Sequence, residues 1–494
     1  MRYLSTRNNK AETSWSQAII QGISKDGGLF VPEIFPKIED LEKMKDMDYK
    51  EVAYQIMEKF FPELGGELLR NIIDKGYDRK FSKVEIAPLS EIGDVFFLEL
   101  FHGPTLAFKD MALSILPHLL KSAMDIENTP KDIVILTATS GDTGKAALEG
   151  FANVENIKII VFYPENGVSE IQKKQMLTQK GKNTFVVGIK GNFDDAQSGV
   201  KALFNDKDFV NNLDKMGYIL SSANSINIGR LIPQIVYYFH SYLTLLKQEK
   251  IVKGEKINIV VPTGNFGNIL AAYYGKQMGL PVNKLICASN ENNVLYDFLR
   301  TGVYDKRRNL VLTSSPSMDI LVSSNLERLL YHLSGEDHKL VDSKMKELSG
   351  EGFYELKNSS LKDFYGGFSR EEEVKESIAA VFKENDYLMD PHTAVAYNVY
   401  KRYRLETKDT SKTIIASTAS PFKFGTTVAS ALGLETIGKD EFQILEELEK
   451  ETNTTIPKPI KDLKGKPLVH NNNCDKEKMK SMVEKFLKAG EIDD

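Results

Sequence analysis

Cysteine is scarce in this sequence of 494 residues, which contains only Cys287 and Cys474 and no CxxC spacing. Such a chain offers neither a disulfide framework nor a thiolate zinc site, and a reducing compartment suits it best. The seven histidines include no pair with the four-residue separation of a helical zinc site. We therefore predict no metal and treat the histidines as structural or as supporting residues.

Long apolar runs and concentrated charge of one sign are also missing. The longest apolar runs, such as Ile159–Tyr163 and Ile235–Phe239, are far shorter than the roughly 20 residues that cross a bilayer. The formal net charge is only -5, and no stretch combines dense Lys or Arg with aromatic residues as a nucleic-acid surface does. The first residues, among them Arg2, Arg7 and Lys10, lack the apolar core of a secretory signal. We expect a cytoplasmic protein with no membrane and no nucleic-acid partner.

The length and composition suit a large globular enzyme. A chain of 494 residues exceeds the size at which one hydrophobic core stops growing, so we expect two or three domains with a deep cleft between them. The first ~85 residues read as a small, mainly helical domain. Within it, Ser14 and Gln17 have the spacing of a helix capping box.

Beyond the first domain, short runs rich in Val and Ile each precede a glycine-containing turn and a helical pattern, which is typical of parallel β-α units. The predicted strands are Val95–Leu100, Ile133–Ala138, Ile159–Tyr163, Phe185–Ile189, Ile257–Val261, Leu285–Ala288 and Thr413–Ser417. Ligands of open α/β sheets bind at the carboxyl ends of strands, so the loops after these runs are the places to search for chemistry. A Pro- and Lys-rich linker at Pro457–Pro467 precedes a last helix at about residues 475–490 that ends at Gly490 and whose apolar face predicts docking on the body.

The loop His102–Asp110 sets a lysine at the start of a helix. The apolar residues Phe108, Met111 and Ala112 recur at helical spacing and place Lys109 beside an apolar face. Burial favours the neutral amine, which is the form that makes a Schiff base. An ordinary surface lysine remains the alternative, and the local pattern alone favours it.

Two further loops offer groups that suit anions. In Pro262–Asn268, two glycines let backbone amides converge on a phosphate at a helix N-terminus, although glycines also serve tight turns without any ligand. In Thr139–Gly144, hydroxyls and free amides suit a carboxylate. Asp142 would repel such a group if it faced it, so it either caps the helix or accepts a hydrogen bond from a protonated group on a cofactor. A fourth loop, Ser417–Pro421, has hydroxyls that either meet a ring nitrogen or satisfy the turn.

Together these loops resemble the threonine synthases, pyridoxal-phosphate enzymes of fold type II that are similar in architecture to the tryptophan synthase β subunit. The resemblance runs nearly end to end and is carried by Tyr3–Arg7 with Gly22–Pro32, by His102–Asp110, by Ser140–Gly144, by Asn224–Asn227 with Arg230, by Gly264–Asn268 and by Asp390–Ala394. It implies an α/β fold with parallel sheets flanked by helices, in which an N-terminal domain of residues 1–85 precedes a catalytic region of two α/β subdomains over residues 86–494.

The resemblance also implies roles for individual residues. Lys109 would carry pyridoxal 5'-phosphate through a Schiff base, and Thr418 would hydrogen-bond its pyridine nitrogen. The cofactor phosphate would be held by Gly264, Asn265, Phe266, Gly267 and Asn268. Apart from the resemblance, the loop Ser140, Gly141, Asp142 and Thr143 is our candidate for the substrate carboxylate, through its hydroxyls and amides and not through the Asp142 side chain. For the substrate phosphate we expect Arg230 with Ser225 and Asn227, because a planar guanidinium suits a phosphate, and the alternative is that Arg230 only opens the next helix.

The implied reaction is the last step of threonine biosynthesis, in which O-phospho-L-homoserine and water give L-threonine and phosphate by γ-elimination and β-addition. We expect a monomer or a homodimer. One departure concerns Ser420, which stands where the family usually has a histidine, whereas Lys423 agrees with the family. Two alternatives stay open: another fold-type-II lyase of the serine/threonine dehydratase kind, and a threonine synthase-like binding protein without turnover.

Overall fold

The computed structural model describes residues 1–165, 168–356 and 361–489. The strands are β1 Arg2–Ser5, β2 Asn8–Ser14, β3 Phe30–Pro32, β4 Leu89–Ile92, β5 Val95–Glu99, β6 Asp132–Ala138, β7 Ile157–Pro164, β8 Thr184–Ile189, β9 Tyr218–Ser221, β10 Ile257–Pro262, β11 Val282–Ser289, β12 Val303–Asp305, β13 Phe353–Glu355, β14 Phe364–Phe368, β15 Thr413–Ser417 and β16 Asn472–Cys474.

The helices follow and connect these strands. They are α1 Trp15–Gln21, α2 Tyr49–Met57, α3 Gly66–Gly76, α4 Asp110–Leu113, α5 Leu116–Ile126, α6 Asp142–Phe151, α7 Glu170–Leu177, α8 Phe193–Asn205, α9 Lys207–Lys215, α10 Ile228–Lys247, α11 Gly267–Met278, α12 Val294–Thr301, α13 Leu326–Leu333, α14 His338–Gly350, α15 Glu371–Asn385, α16 Pro391–Thr407, α17 Gly425–Ala431, α18 Glu441–Thr452, α19 Lys458–Lys461 and α20 Met479–Ala489. Among the described residues, no helix combines the length and the apolar character that crossing a membrane requires.

Two sheets form the body of the molecule. One has the strand order β16-β8-β7-β6-β9 with all neighbours parallel. The other has the order β14-β11-β10-β15-β5-β4 and is parallel except for the β4–β5 pair. All seven predicted strands are present, because strands buried on both faces read as unbroken apolar runs. The predicted α/β fold is confirmed.

The N-terminal segment is helical as predicted, with α1, α2 and α3, but it also contains a small sheet that the sequence analysis did not predict. Strands β2, β1 and β3 form an antiparallel sheet in that order, with Tyr3 opposite Thr13 and Leu4 opposite Val31. The edge strand β2 is almost entirely polar, so it lacks the apolar alternation by which a strand is recognised. Ser14 caps α1 by accepting the amide of Gln17 at 3.2 Å, but no reciprocal bond closes the predicted capping box.

The last helix lies against the body of the molecule. Helix α20 packs beside α8, and the ring of Phe486 stacks on Phe185 of β8 with centroids 4.6 Å apart. Gly490, where this helix was expected to end, lies outside the described residues. The preceding linker is more ordered than its composition indicates, because it contains the short helix α19 with Ile460 fully buried.

Candidate active site

A cavity of about 860 Å³ lies where the carboxyl ends of strands from both large sheets come together. The loops after β5, β6, β10 and β15 all line it, as expected for a ligand site in α/β sheets. Gly141 and Asn227 do not line the cavity. Every other predicted site residue does, namely Lys109, Ser140, Asp142, Thr143, Ser225, Arg230, Gly264, Asn265, Phe266, Gly267, Asn268 and Thr418.

Lys109 is a buried residue and not a surface lysine. Its Nζ lies 3.0 Å from Oγ of Ser317 and 3.2 Å from Oδ2 of Asp142. Burial lowers the pKa of Lys109, the Asp142 carboxylate opposes that effect, and the Lys423 and Arg230 cations reinforce it. The site therefore shifts the Lys109 amine toward its neutral, nucleophilic form.

The Lys109 loop is tied directly to the loop after β15. The amide of Phe108 donates to the carbonyl of Thr418 at 2.8 Å, and the amide of Ser420 donates to the carbonyl of Leu106 at 3.0 Å. These two bonds set the Thr418 hydroxyl and the Lys109 amine in one cavity wall. Ser420 itself is buried and does not line the cavity, so the residue that departs from the family pattern supports the Lys109 loop from behind.

The loop after β10 presents a row of free donors. Within the described part of the chain, no backbone amide from Gly264 to Asn268 has a hydrogen-bond partner. Phe266 adopts φ 63° and ψ 3° at the N-cap of α11, which turns these amides toward the cavity at a helix N-terminus. The ring of Phe266 is buried, so that residue contributes through its backbone. This cradle fits a phosphate group.

Asn268 adds an orphaned donor to the same place. Its Oδ1 accepts from the hydroxyls of Tyr237, at 2.7 Å, and Tyr238, while its buried Nδ2 has no partner among the described residues. A buried amide donor without a partner is costly and points to a bound acceptor. The donor set of this loop therefore fits the phosphate of pyridoxal 5'-phosphate.

The loop after β6 is only partly free to bind a carboxylate. The side-chain oxygen of Thr139 accepts the amides of Gly141 and Gly144 at 3.0 and 2.8 Å. The amides of Ser140, Asp142 and Thr143 have no partner in the part of the chain that the structure describes. Gly141 has φ 138°, and a β-carbon there would lie 2.6 Å from the side chain of Gln172. Its contribution is to the loop geometry.

The Asp142 carboxylate does not cap the helix that it begins. It receives the Lys423 ammonium at 2.6 Å and the Gln172 amide at 2.8 Å, besides Lys109. Burial raises the pKa of Asp142, but the Lys423 ammonium, together with the charge that Lys109 carries when protonated and the Gln172 hydrogen bond, outweighs burial and holds the pKa well below its usual range. Asp142 is thus a permanent anion in the cavity wall.

The first turn of α10 and the segment before it contain the three residues predicted for the substrate phosphate, but in different roles. Arg230 lines the cavity and donates to the carbonyl of Ala223 at 2.7 Å, and its buried Nε has no partner among the described residues. Burial lowers the pKa of Arg230 to about 10. The side-chain amide of Asn227 instead donates to the carbonyls of Ile19 and Ser222, at 2.9 and 3.0 Å. Its side-chain oxygen caps α10 by accepting the Gly229 amide. Asn227 holds the segment in place.

Sequence reasoning missed several cavity residues, and Ser317 and His392 are two that bear on the site. Ser317 lies in a short turn that follows no predicted strand, and His392 was treated as structural. The Nε2 of His392 accepts the Ser317 amide at 3.3 Å, so its proton sits on Nδ1 and is donated to Asp390 at 2.8 Å. The Asp-Pro-His sequence before α16 is the signal that could have identified His392, because an N-cap aspartate two residues away fixes the ring.

Comparison with known proteins identifies the family. Three family models match: the threonine synthase N terminus over residues 2–77, the pyridoxal-phosphate dependent enzymes over residues 83–418, and the threonine synthase C-terminal domain over residues 393–465. The threonine synthase of Pseudomonas aeruginosa is 38% identical over 439 residues, which cover 87% of this chain and 90% of that protein. The chain belongs to the threonine synthase family. The predicted resemblance and the predicted pyridoxal-phosphate cofactor are confirmed.

Two other members of the threonine synthase family frame the comparison. Human threonine synthase-like 1 is 40% identical over 442 residues, which cover 86% of this chain but 59% of that protein, so the chain spans about three fifths of this longer relative. The crystal structure of the pyridoxal-phosphate-bound threonine synthase from Brucella melitensis superimposes with a TM-score of 0.87 at 33% identity, and 99% of each chain is covered.

Proposed function

We propose that this chain is a lyase that converts O-phospho-L-homoserine and water into L-threonine and phosphate, with pyridoxal 5'-phosphate bound at Lys109. The observation that carries the proposal is the meeting of three features in one cavity. These are the buried Lys109 amine, the unpartnered amides of Gly264–Asn268 and the Thr418 hydroxyl. A lysine, a phosphate cradle and a group for a ring nitrogen are what this cofactor requires.

The cofactor would be held by its two ends. The amides of Gly264–Asn268 and Nδ2 of Asn268 would bind its phosphate, and the Thr418 hydroxyl would meet its pyridine nitrogen. When bound, the cofactor withdraws electrons from the substrate, and it does so mildly here because a neutral hydroxyl does not keep the ring nitrogen protonated as an aspartate would.

The substrate would also be held at two ends. The amides of Ser140 and Thr143 offer donors for its carboxylate, and Arg230 with Ser225 offers a planar cation and a hydroxyl for its phosphate. Lys109, once the substrate amine has displaced it, is placed to move protons among Cα, Cβ and Cγ while phosphate leaves Cγ and water adds at Cβ. Lys109 suits this task because burial favours its neutral form.

The experiment that tests the proposed function is a product assay on purified protein supplied with O-phospho-L-homoserine. We expect equal amounts of phosphate and L-threonine. A keto acid formed from threonine or serine without phosphate release would favour the dehydratase-like alternative. Bound cofactor with no turnover of any phosphorylated amino acid would favour the binding-protein alternative.

We further propose that the protein acts in the cytoplasm as a monomer or a homodimer. The sparse cysteines support the compartment. Light scattering of the full chain measures the oligomeric state directly, and a larger assembly would contradict the proposal.

A further inference from the structure

A second lysine lies behind the cavity wall, on the far side of Asp142. Lys423 is fully buried, and its Nζ lies 2.6 Å from Oδ1 of Asp142 and 2.8 Å from the carbonyl oxygen of Thr105. Lys109 approaches the other carboxylate oxygen, Oδ2, at 3.2 Å. Lys109 and Asp142 line the cavity, whereas Lys423 does not. Asp142 is therefore an anion shared by a cavity lysine and a hidden lysine.

The charges in this cluster decide which form of Lys109 is favoured. With Lys423 and Asp142 both ionised, a protonated Lys109 leaves the buried cluster with a net charge of one, and a neutral Lys109 leaves it with none. Without Lys423 the order reverses, because Asp142 then needs the Lys109 proton to balance its own charge. A buried group adopts the protonation state that avoids unpaired charge.

Two other charged groups act on the pKa of Lys109, in opposite directions. Arg230 of α10 also lowers the pKa of Lys109, and Asp142 of α6 is the group that raises it. The Lys109 amine also contacts two uncharged groups, the hydroxyl of Ser317 and the ring of Phe108, whose centroid lies 5.0 Å away. Gln172 of α7 donates to Oδ1 of Asp142 at 2.8 Å and carries no charge. Lys423 is thus the cation in direct contact with the anion that faces Lys109.

We propose that Lys423 is a positioning residue that neutralises Asp142 from behind the cavity and thereby releases Lys109 as the free amine that bonds to the cofactor and later moves protons. The inference rests on the proposed role of Lys109. In this proposal Lys423 contacts neither cofactor nor substrate. Lys423 influences the reaction only through Asp142.

The test measures the ionisation of Lys109 in the full chain after removal of the cofactor. Competitive acetylation over a pH series, followed by mass spectrometry, gives the midpoint pH at which Lys109 becomes reactive. Lys423→Gln keeps a hydrogen-bond donor and removes the charge. We expect its Lys109 midpoint to rise, with labelling roughly tenfold slower at a fixed pH below both midpoints. Lys423→Met repeats the charge removal with an apolar side chain, so that the result does not depend on the folding of one variant.

A second substitution separates electrostatics from structural damage. Adding Asp142→Asn to Lys423→Gln removes the anion as well, so Lys109 labelling should return toward the wild-type midpoint. Lys145→Met is the matched control, because Lys145 is also buried and ion-paired, to Glu149 at 2.8 Å, but does not line the cavity. That variant should leave the Lys109 midpoint unchanged.

Two results would overturn the inference. One is an unchanged Lys109 midpoint in folded Lys423→Gln and Lys423→Met, and the other is a double variant that stays as slow as the single one. Failure of the proposed function looks different: in wild-type protein loaded with cofactor, borohydride would then fix the cofactor to a lysine other than Lys109, whatever the Lys423 variants do.

Discussion

Gly264 and Ser317 are close neighbours, because the Ser317 carbonyl oxygen lies too near to the position that a β-carbon on residue 264 would take. This close approach joins the proposed phosphate cradle to the turn that places the Ser317 hydroxyl 3.0 Å from the Lys109 amine. Bulk added at residue 264 would therefore press on the turn that carries Ser317.

Substitution of Gly264 by alanine should weaken cofactor binding. The added methyl group collides with a backbone oxygen that cannot rotate away, so the cradle must open. We expect the dissociation constant for pyridoxal phosphate to rise about tenfold or more, measured by titrating cofactor-free protein and following its visible absorbance. Gly350→Ala is the control, since a β-carbon there meets nothing within 4 Å. Equal affinities in the two variants would contradict the assignment of this loop.

Substitutions of Arg230 and Asn227 should have different effects, because Arg230 is proposed to bind the substrate and Asn227 to support the fold. Arg230→Gln removes the cavity cation, so KM for O-phospho-L-homoserine should rise about tenfold or more. Asn227→Ala removes three buried hydrogen bonds outside the cavity, and we expect it to lower the free energy of unfolding by about 1–3 kcal/mol. Steady-state kinetics and urea unfolding of both variants check this division, which a larger KM effect from Asn227→Ala would refute.

His392 should act through Ser317. Replacing His392 by leucine removes the acceptor for the Ser317 amide and frees the turn that faces Lys109. We expect kcat to fall about tenfold, while cofactor affinity stays within roughly twofold because the phosphate cradle keeps its donors. Spectroscopic titration and kinetics on the same sample check both values. An unchanged kcat would show that the turn does not need this bond.

Glu441 should make stability depend on pH. Its carboxylate accepts a hydrogen bond from the Ile171 amide at 3.0 Å and is partly buried. Burial and the nearby Glu170 charge raise the pKa of Glu441 to about 7. A carboxyl whose pKa is higher in the folded state stabilises the fold at low pH, and that contribution is lost as pH rises through about 7. Glu441→Gln, which stays neutral, should therefore melt above wild type at pH ~8.5 and close to it at pH ~5. A difference in Tm that is constant with pH would contradict this.

The sequence predicts the scaffold well where a buried element has a clear apolar pattern. Strands such as β10 are buried along their whole length and read as unbroken apolar runs, and the loops that follow them converge because parallel strands end at one edge. The polar edge strand β2 carries no such pattern and was missed.

The parts of the site that sequence reasoning missed depend on contacts between distant segments. Ser317 enters the cavity on a turn without a preceding strand, and Lys423 reaches Asp142 from a segment far along the chain. Neither position has a local periodicity that marks it. Asn227 shows the opposite case, because it belongs to a matching motif, yet its side chain is fully used in holding α1 and α10 together.

The most direct test of the central claim is borohydride reduction of the cofactor-loaded protein, followed by peptide mapping of the label. We predict that the reduced cofactor is attached to Lys109, and that Lys109→Ala has neither this attachment nor the visible absorbance of the lysine-bound cofactor. Among the described residues, Lys25 and Lys201 are the other lysines that line the cavity. A label on either of them, or on any lysine other than Lys109, would contradict the proposed site.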